Sequence, residues 1–217
     1  MEGIRLKVCG MRETDNIRDL AALSPDFMGL IFYQKSKRYV GHDFKLTDLP
    51  PGVKKVGVFV NEDRENVLEP VERYGLDYVQ LHGNESVEDC RYYRDKGTGV
   101  IKVFSVMDVL PVKELEKYQG DVDYFLFDTK TLDYGGSGQK FDWRVLSEYH
   151  GDVPFFISGG IGPNDIEQII RLHHPQLFAI DINSGVETEP GLKDMEKVKQ
   201  VIRGLNGHPP SRIKPSD

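Results

Sequence analysis

The 217-residue chain carries 28 Lys and Arg against 35 Asp and Glu, a net charge of −7, and 39% of it is hydrophobic. That balance argues against non-specific nucleic-acid binding, which depends on neutralising phosphates, and leaves any anionic ligand to be captured by local positive groups. With only Cys9 and Cys90, no signal-peptide core and no stretch of membrane-spanning length, the expectation is one soluble domain in the cytoplasm, with no disulfide framework and no membrane partner.

Short apolar runs alternate with amphipathic segments along the chain. The first run, 4–9, reads as a strand with Leu6 and Val8 on one side and Arg5, Lys7 and Cys9 on the other. A helix is predicted over 14–24, with Thr14 as its N-cap and Ile17, Leu20, Ala21 and Leu23 along one face. Strand 27–32 follows, then a short helical segment at 42–48. The alternation continues through strand 55–60, helix 63–74, strand 77–81, helix 86–95, strand 100–104 and helix 108–118. Strand 123–127, helix 141–148, strand 154–158, helix 163–173, strand 177–182 and helix 193–203 complete it. Pro163 suits a first helical turn, where its missing amide hydrogen is no loss.

Eight strand–helix units imply parallel strands with right-handed crossovers. The predicted fold is α/β, a single (β/α)₈ TIM barrel over residues 1–205, with 206–217 a polar, proline-rich tail expected to fray. An open doubly wound sheet is the competing topology. It would normally place its phosphate glycines after the first strand, where Gly10-Met11-Arg12 does not resemble such a loop.

Two late turns are the most informative. Pro154-Phe155-Phe156-Ile157 runs into Ser158-Gly159-Gly160-Ile161-Gly162, and Phe178-Ala179-Ile180-Asp181-Ile182 runs into Asn183-Ser184-Gly185. Glycines between a buried strand and a helix start leave backbone amides open to a phosphate, and the last two units of a barrel are where such a site commonly lies. Taken singly, each turn reads as an ordinary chain reversal; the pair, in this order, points to phosphate.

The carboxyl ends of the other strands supply candidate chemistry. Cys9, above an inward Lys7, is either a thiol with a lowered pKa or a small buried hydrophobe. Asp128 ends an apolar strand, where a carboxylate tends toward the raised pKa of a general acid; an Asx cap on the next amides is the alternative. Arg38, in Lys35-Ser36-Lys37-Arg38-Tyr39, is either a two-pronged clamp for a planar carboxylate or solvated loop charge. His82 is an acid, a base or a polar lining group, and without partners at ligand spacing it predicts no metal. The glycine-rich Tyr134-Gly135-Gly136-Ser137-Gly138-Gln139, within 131–140, is either a lid over substrate or a plain surface loop.

At this point the residues resemble the phosphoribosylanthranilate isomerase family of tryptophan biosynthesis. The likeness is carried by Lys7-Val8-Cys9-Gly10, Gly29-Leu30-Ile31-Phe32-Tyr33 with Ser36-Lys37-Arg38-Tyr39-Val40, Val56-Gly57-Val58-Phe59-Val60-Asn61 and Val79-Gln80-Leu81-His82-Gly83. It continues in Asp128-Thr129-Lys130, Phe141-Asp142-Trp143, Ser158-Gly159-Gly160, Asp181-Ile182-Asn183-Ser184-Gly185-Val186-Glu187 and Pro190-Gly191-Leu192-Lys193-Asp194, collinear over about 4–203. Met11-Arg12 departs from the family, which more often has a small apolar residue and a threonine there.

The resemblance implies an Amadori rearrangement of N-(5-phosphoribosyl)anthranilate to 1-(2-carboxyphenylamino)-1-deoxyribulose 5-phosphate. It implies Asp128 as general acid, Cys9 as general base and Arg38 on the anthranilate carboxylate. Gly159, Gly160, Ser184 and Gly185 would hold the phosphate, and Asp181 would lie near the ribose hydroxyls or the anthranilate nitrogen. His82 joins them as a binding residue. No metal and no cofactor are implied, and the expected partner is a small-molecule substrate, with the chain a monomer or homodimer. Two other readings stand beside it. A related lyase closing an indole ring would need a lysine acid paired with a glutamate, whereas Lys7 lies deep and Lys130 has no obvious partner. A sugar-phosphate-binding regulator that has lost catalysis would not need Cys9 and Asp128 together.

Overall fold

A computed structural model describes residues 3–129 and 141–207. The expected lid, within 131–140, and residues 208–217 of the expected tail lie outside the described residues. Eight strands close into a parallel barrel in sequence order. They are β1 (Arg5–Val8), β2 (Phe27–Ile31), β3 (Lys54–Phe59), β4 (Tyr78–Leu81), β5 (Gly99–Val106), β6 (Tyr124–Thr129), β7 (Phe155–Ile157) and β8 (Leu177–Ile182). The seam joins β1 to β8 with Lys7 opposite Asp181 and Val8 opposite Ile182.

Strands buried on both faces read as continuous apolar runs, and alternation sorts their side chains. Leu6, Val8, Met28, Leu30, Val79, Phe125 and Phe155 point outward into the main core beneath the helices. Inside, Phe27, Val56, Ile101, Val103, Leu126, Phe156 and Ala179 fill the barrel from below, with Tyr78, Tyr124 and Phe178 against them. The rings meet edge-on or stacked, as quadrupoles prefer: Phe27 and Phe156 have centroids 5.2 Å apart, Tyr124 and Phe178 4.7 Å. This aromatic plug closes the floor and leaves the polar groups at the mouth.

The helical layer departs from expectation where local chemistry overrides periodicity. Helix α1 (Thr14–Ala22) buries Ile17, Leu20 and Ala21 as expected, but its N-cap is Glu13 and Thr14 is already inside the first turn. The segment 42–48 forms no helix. The layer is filled instead by Phe44, whose carbonyl accepts from the Tyr74 hydroxyl at 3.1 Å. Helices α2 (Arg64–Tyr74), α3 (Val87–Asp95) and α4 (Val112–Tyr118) stand within the predicted spans.

The predicted helix at 141–148 is a 3-10 helix, Trp143–Glu148, and the one at 163–173 is a 3-10 turn, Pro163–Asp165, running into the short α5 (Ile166–Ile170). Pro163 does occupy the first turn. The largest difference follows β8. A 3-10 turn (Ser184–Val186) leads into an antiparallel hairpin, β9 (Glu187–Glu189) and β10 (Leu192–Lys193), where a helix from 193 was expected. The last helix, α6 (Met195–Asn206), starts later because Asp194 caps it, accepting from the Glu196 and Lys197 amides. Among the described residues no helix is long and apolar enough to cross a membrane.

Candidate active site

A cavity opens at the carboxyl ends of the strands. It is lined by Cys9, Arg38, His82, Asp128, Gly159, Gly160, Asp181 and Ser184 among others, so all the predicted site residues but one converge on it. The exception is Gly185, which is not part of the wall. A Cβ there would run into the Ile161 carbonyl oxygen, so its glycine lets the two late turns pack together.

Those turns have open amides for different reasons. Gly159 and Gly160 adopt φ of 101° and 66°, positive values that favour glycine. A Cβ at Gly159 would also strike the Thr129 hydroxyl. Ser184 and Gly185 open a 3-10 turn, so their amides have no preceding helical acceptor. The Gly162 amide is already used, donating to Asp165 at 2.7 Å.

Alternation on β1 places Lys7 and Cys9 inside the barrel. The Lys7 ammonium, fully buried, donates to Asp181 Oδ2 at 2.7 Å across the seam. Burial works against that ammonium, but the Asp181 charge, with Cys9 beside it, outweighs the loss and holds it above the ordinary lysine value. Asp181 Oδ1 is buried with no hydrogen-bond partner among the described residues, an acceptor left at the cavity wall.

Cys9 is 4% exposed and packs with Ile31 and Val58. Of the two readings of Cys9, the buried hydrophobe fits the structure and the lowered thiol pKa does not. Desolvation pushes the Cys9 thiol up; Lys7 and Lys193 pull it down but do not reverse the direction. The free thiol is therefore mostly protonated at neutral pH.

Asp128 makes the cap contact and also faces the cavity. Oδ1 accepts the Thr129 amide at 3.0 Å, the Asx-type contact, while Oδ2 stands 3.3 Å from His82 Nε2. The other His82 nitrogen, Nδ1, lies 3.3 Å from Gln80 Nε2. Arg38 is not solvated loop charge. Its guanidinium forks onto Glu187, with Nε to Oε1 at 2.8 Å and Nη2 to Oε2 at 2.6 Å. The departure at Met11-Arg12 is absorbed structurally: Met11 is fully buried in the core, and Arg12 Nη1 donates to the Lys37 carbonyl at 3.3 Å.

Glu187 and Lys193 escaped the sequence reading as site residues. Lys193 Nζ, on a fully buried side chain, donates to Asn183 Oδ1 at 2.7 Å and to Glu187 Oε1 at 2.6 Å. The signal for their approach was Pro190-Gly191, a turn dipeptide between two short segments.

A closed parallel barrel with thiol, carboxylate, imidazole and guanidinium groups gathered at the carboxyl ends of its strands defines a TIM-barrel enzyme. The model of the N-(5'phosphoribosyl)anthranilate (PRA) isomerase family matches residues 6–204, and the chain belongs to that family, isomerases of tryptophan biosynthesis. It is similar to the N-(5'-phosphoribosyl)anthranilate isomerase of Parabacteroides distasonis, 49% identical over 206 residues and 92% of each chain. The crystal structure of the Thermotoga maritima enzyme superposes with a TM-score of 0.78 at 34% identity, covering 94% of this chain and 100% of that one. A further family structure, in complex with reduced 1-(o-carboxyphenylamino)-1-deoxyribulose 5-phosphate, gives a TM-score of 0.74 at 30% identity, with 94% and 100% covered.

Proposed function

We propose that this protein converts N-(5-phospho-β-D-ribosyl)anthranilate to 1-(2-carboxyphenylamino)-1-deoxy-D-ribulose 5-phosphate, the third step from chorismate to tryptophan. The observation that carries the reading is the cavity that brings Cys9, Asp128 and Arg38 together with the two open-amide turns. It offers a place for each end of the substrate and for each proton transfer.

In this reading Asp128 is the general acid. Its protonated carboxyl gives a proton to the furanose ring oxygen as the C1–O bond breaks and the anilino nitrogen forms a Schiff base. His82, 3.3 Å away, then faces the carboxylate that remains. The iminium acidifies the hydrogen on C2, and Cys9 removes it as general base. The electron pair of the C2–H bond flows to the nitrogen and gives an enolamine. Protonation at C1 and loss of the C2 hydroxyl proton complete the ketone. The iminium is the electron sink, so the chemistry calls for neither metal nor organic cofactor. A positioned acid and base each contribute roughly 10²–10⁴-fold.

Binding divides along the cavity. The amides at Gly159 and Gly160, with Ser184, hold the phosphate, and Gly185 keeps the two turns packed together. Arg38 takes the anthranilate carboxylate. Asp181 offers its free oxygen to a ribose hydroxyl or to the anthranilate nitrogen. The protein acts in the cytoplasm as a monomer or homodimer. Residues 1–205 form the catalytic domain. Steady-state loss of the substrate's anthranilate fluorescence, with and without a chelator, tests the reading; absence of turnover with fresh substrate would sink it.

A further inference from the structure

Glu187 and Lys193 take no part in those proton transfers, yet they are among the best-buried charges of the barrel. The Lys193 side chain is fully buried, that of Glu187 is 6% exposed and that of Arg38 11%. Glu187 Oε1 accepts from Arg38 Nε at 2.8 Å, Lys193 Nζ at 2.6 Å and the Gly191 amide at 3.0 Å. Its Oε2 accepts from Arg38 Nη2 at 2.6 Å. Buried ion pairs are a weak source of stability, because desolvation offsets most of their attraction. Three such charges at a cavity rim therefore need a reason other than folding strength.

Guanidinium geometry supplies one. Glu187 occupies the Nε–Nη2 edge of Arg38, and the Nη1–Nη2 edge has no acceptor among the described residues. The plane of the group is fixed, and one of its two forks is left for a ligand. Charge points the same way: with Arg38 and Lys193 positive and Glu187 negative, the cluster keeps one net positive charge. Without Lys193 the Arg38–Glu187 pair would be neutral, and an incoming carboxylate would meet the Glu187 charge uncompensated.

We propose that Glu187 is the positioning residue of the carboxylate clamp, holding Arg38 with its Nη1–Nη2 edge toward an aromatic carboxylate, and that Lys193 is the counter-charge that keeps this clamp attractive to an anion. The proposal rests on the assignment of Arg38 to the anthranilate carboxylate. Burial raises the Glu187 carboxyl, but the Arg38 hydrogen bonds, the Lys193 charge and the Gly191 amide outweigh it, so the group stays anionic at neutral pH. The support is rigid as well. The Lys193 amide donates to Asn16 Oδ1 at 2.8 Å, and Asn16 Nδ2 donates back to the Lys193 carbonyl at 2.9 Å, pinning the hairpin to α1. Such pre-organisation lowers the cost of ordering a long side chain on binding.

The test compares two ligands by calorimetry: the reduced product analogue bearing the ring carboxylate, and the same compound with an unsubstituted phenyl ring. Glu187→Gln adds positive charge, so simple electrostatics predicts tighter binding of the carboxylate ligand. A positioning role predicts the opposite: about tenfold weaker binding of the carboxylate ligand, little change for the phenyl ligand, and a rise in KM with kcat held within about threefold. Glu187→Asp, which keeps the charge but shortens the reach, restores part of the loss. In an Arg38→Met background Glu187→Gln has no further effect, and Lys193→Met lowers the preference for the carboxylate ligand.

Unchanged or tighter carboxylate binding in Glu187→Gln overturns the proposal. So does equal weakening of both ligands, the mark of a purely structural role, or an undiminished effect in the Arg38→Met background. If Arg38→Met itself leaves the preference for carboxylate intact, the clamp assignment falls and the proposal with it. A wild-type protein that binds neither ligand and turns nothing over overturns the functional reading as well, so the failures are distinguishable.

Discussion

His82 Nε2 and Asp128 Oδ2 stand 3.3 Å apart at the barrel mouth, while the second Asp128 oxygen is tethered to the Thr129 amide. One oxygen is thus fixed by the backbone and the other is presented to the imidazole and the cavity. Asp128→Ala is expected to lower kcat by about 10²–10⁴-fold while leaving the fold intact, since the side chain is partly exposed. His82→Asn should cost less, and chiefly in kcat. Parallel circular dichroism and turnover measurements on both variants check this; full activity in Asp128→Ala removes it from the mechanism.

Cys9 offers a pH test with a defined sign. Its thiol is pushed above the ordinary value of 9.0 by burial, and Lys7 opposes that rise. Site-resolved alkylation in the ligand-free protein should climb about tenfold per pH unit and still be climbing at pH 9.0. Lys7→Met should move the plateau to higher pH. Mass spectrometry separates the signal from Cys90, whose thiol burial raises to about 12. A plateau below pH 8 in the wild type would contradict the desolvated thiol.

Gly185 tests the phosphate turns. The Cβ of Gly185→Ala would strike the Ile161 carbonyl and push the two turns apart. Weakened binding of phosphorylated ligands is expected, with KM rising by about tenfold or more and a smaller loss in kcat. Inorganic phosphate competition, followed in both proteins, shows whether the anchor itself is lost.

Glu187 gives a stability prediction. Its folded pKa lies below the ordinary 4.5, so the stabilisation it brings is fully present above that value and is lost as pH falls through the folded pKa. Urea midpoints of the wild type should hold from pH 7 to about 5.5 and fall below 4.5. Glu187→Gln should start lower, by up to about 3–5 kcal/mol for a buried pair left without one partner, and show a flatter acid limb. Parallel acid limbs in the two proteins would refute the assignment.

The seam pair can be measured by a double-mutant cycle. Lys7→Met or Asp181→Asn alone should cost about 3–5 kcal/mol, because each strands the other group in the barrel. The double variant should cost less than the sum. Additive costs would mean that the two groups do not interact.

Much of this was legible in the chain. The eight apolar runs map onto β1–β8 within a few residues, because strands buried on both faces leave an unbroken apolar signal. The site residues were legible where they end such a run, as Cys9, Asp128 and Asp181 do. Helical periodicity failed where other constraints held the backbone: the buried Phe44, bonded to Tyr74, at the second crossover, and the short 3-10 pieces around Trp143 and Pro163. Glu187 and Lys193 were illegible as a pair because only the hairpin folds one back onto the other. The raised thiol of Cys9 was illegible for a different reason. The Lys7 beneath it could be counted from alternation, but the depth of burial that outweighs that charge could not.

Because Lys7 and Asp181 are register partners on the first and last strands, the chamber beneath Cys9 is completed by the arrival of β8. A nascent chain with seven strands threaded would already carry Cys9, Arg38, His82 and Asp128. It would still lack the carboxylate that neutralises Lys7, the Ser184–Gly185 turn and the hairpin that holds Arg38. Turnover is therefore expected to report ring closure: a segment that stops before β8 should be inactive, and an assay of activity is also an assay of whether the first and last strands have met.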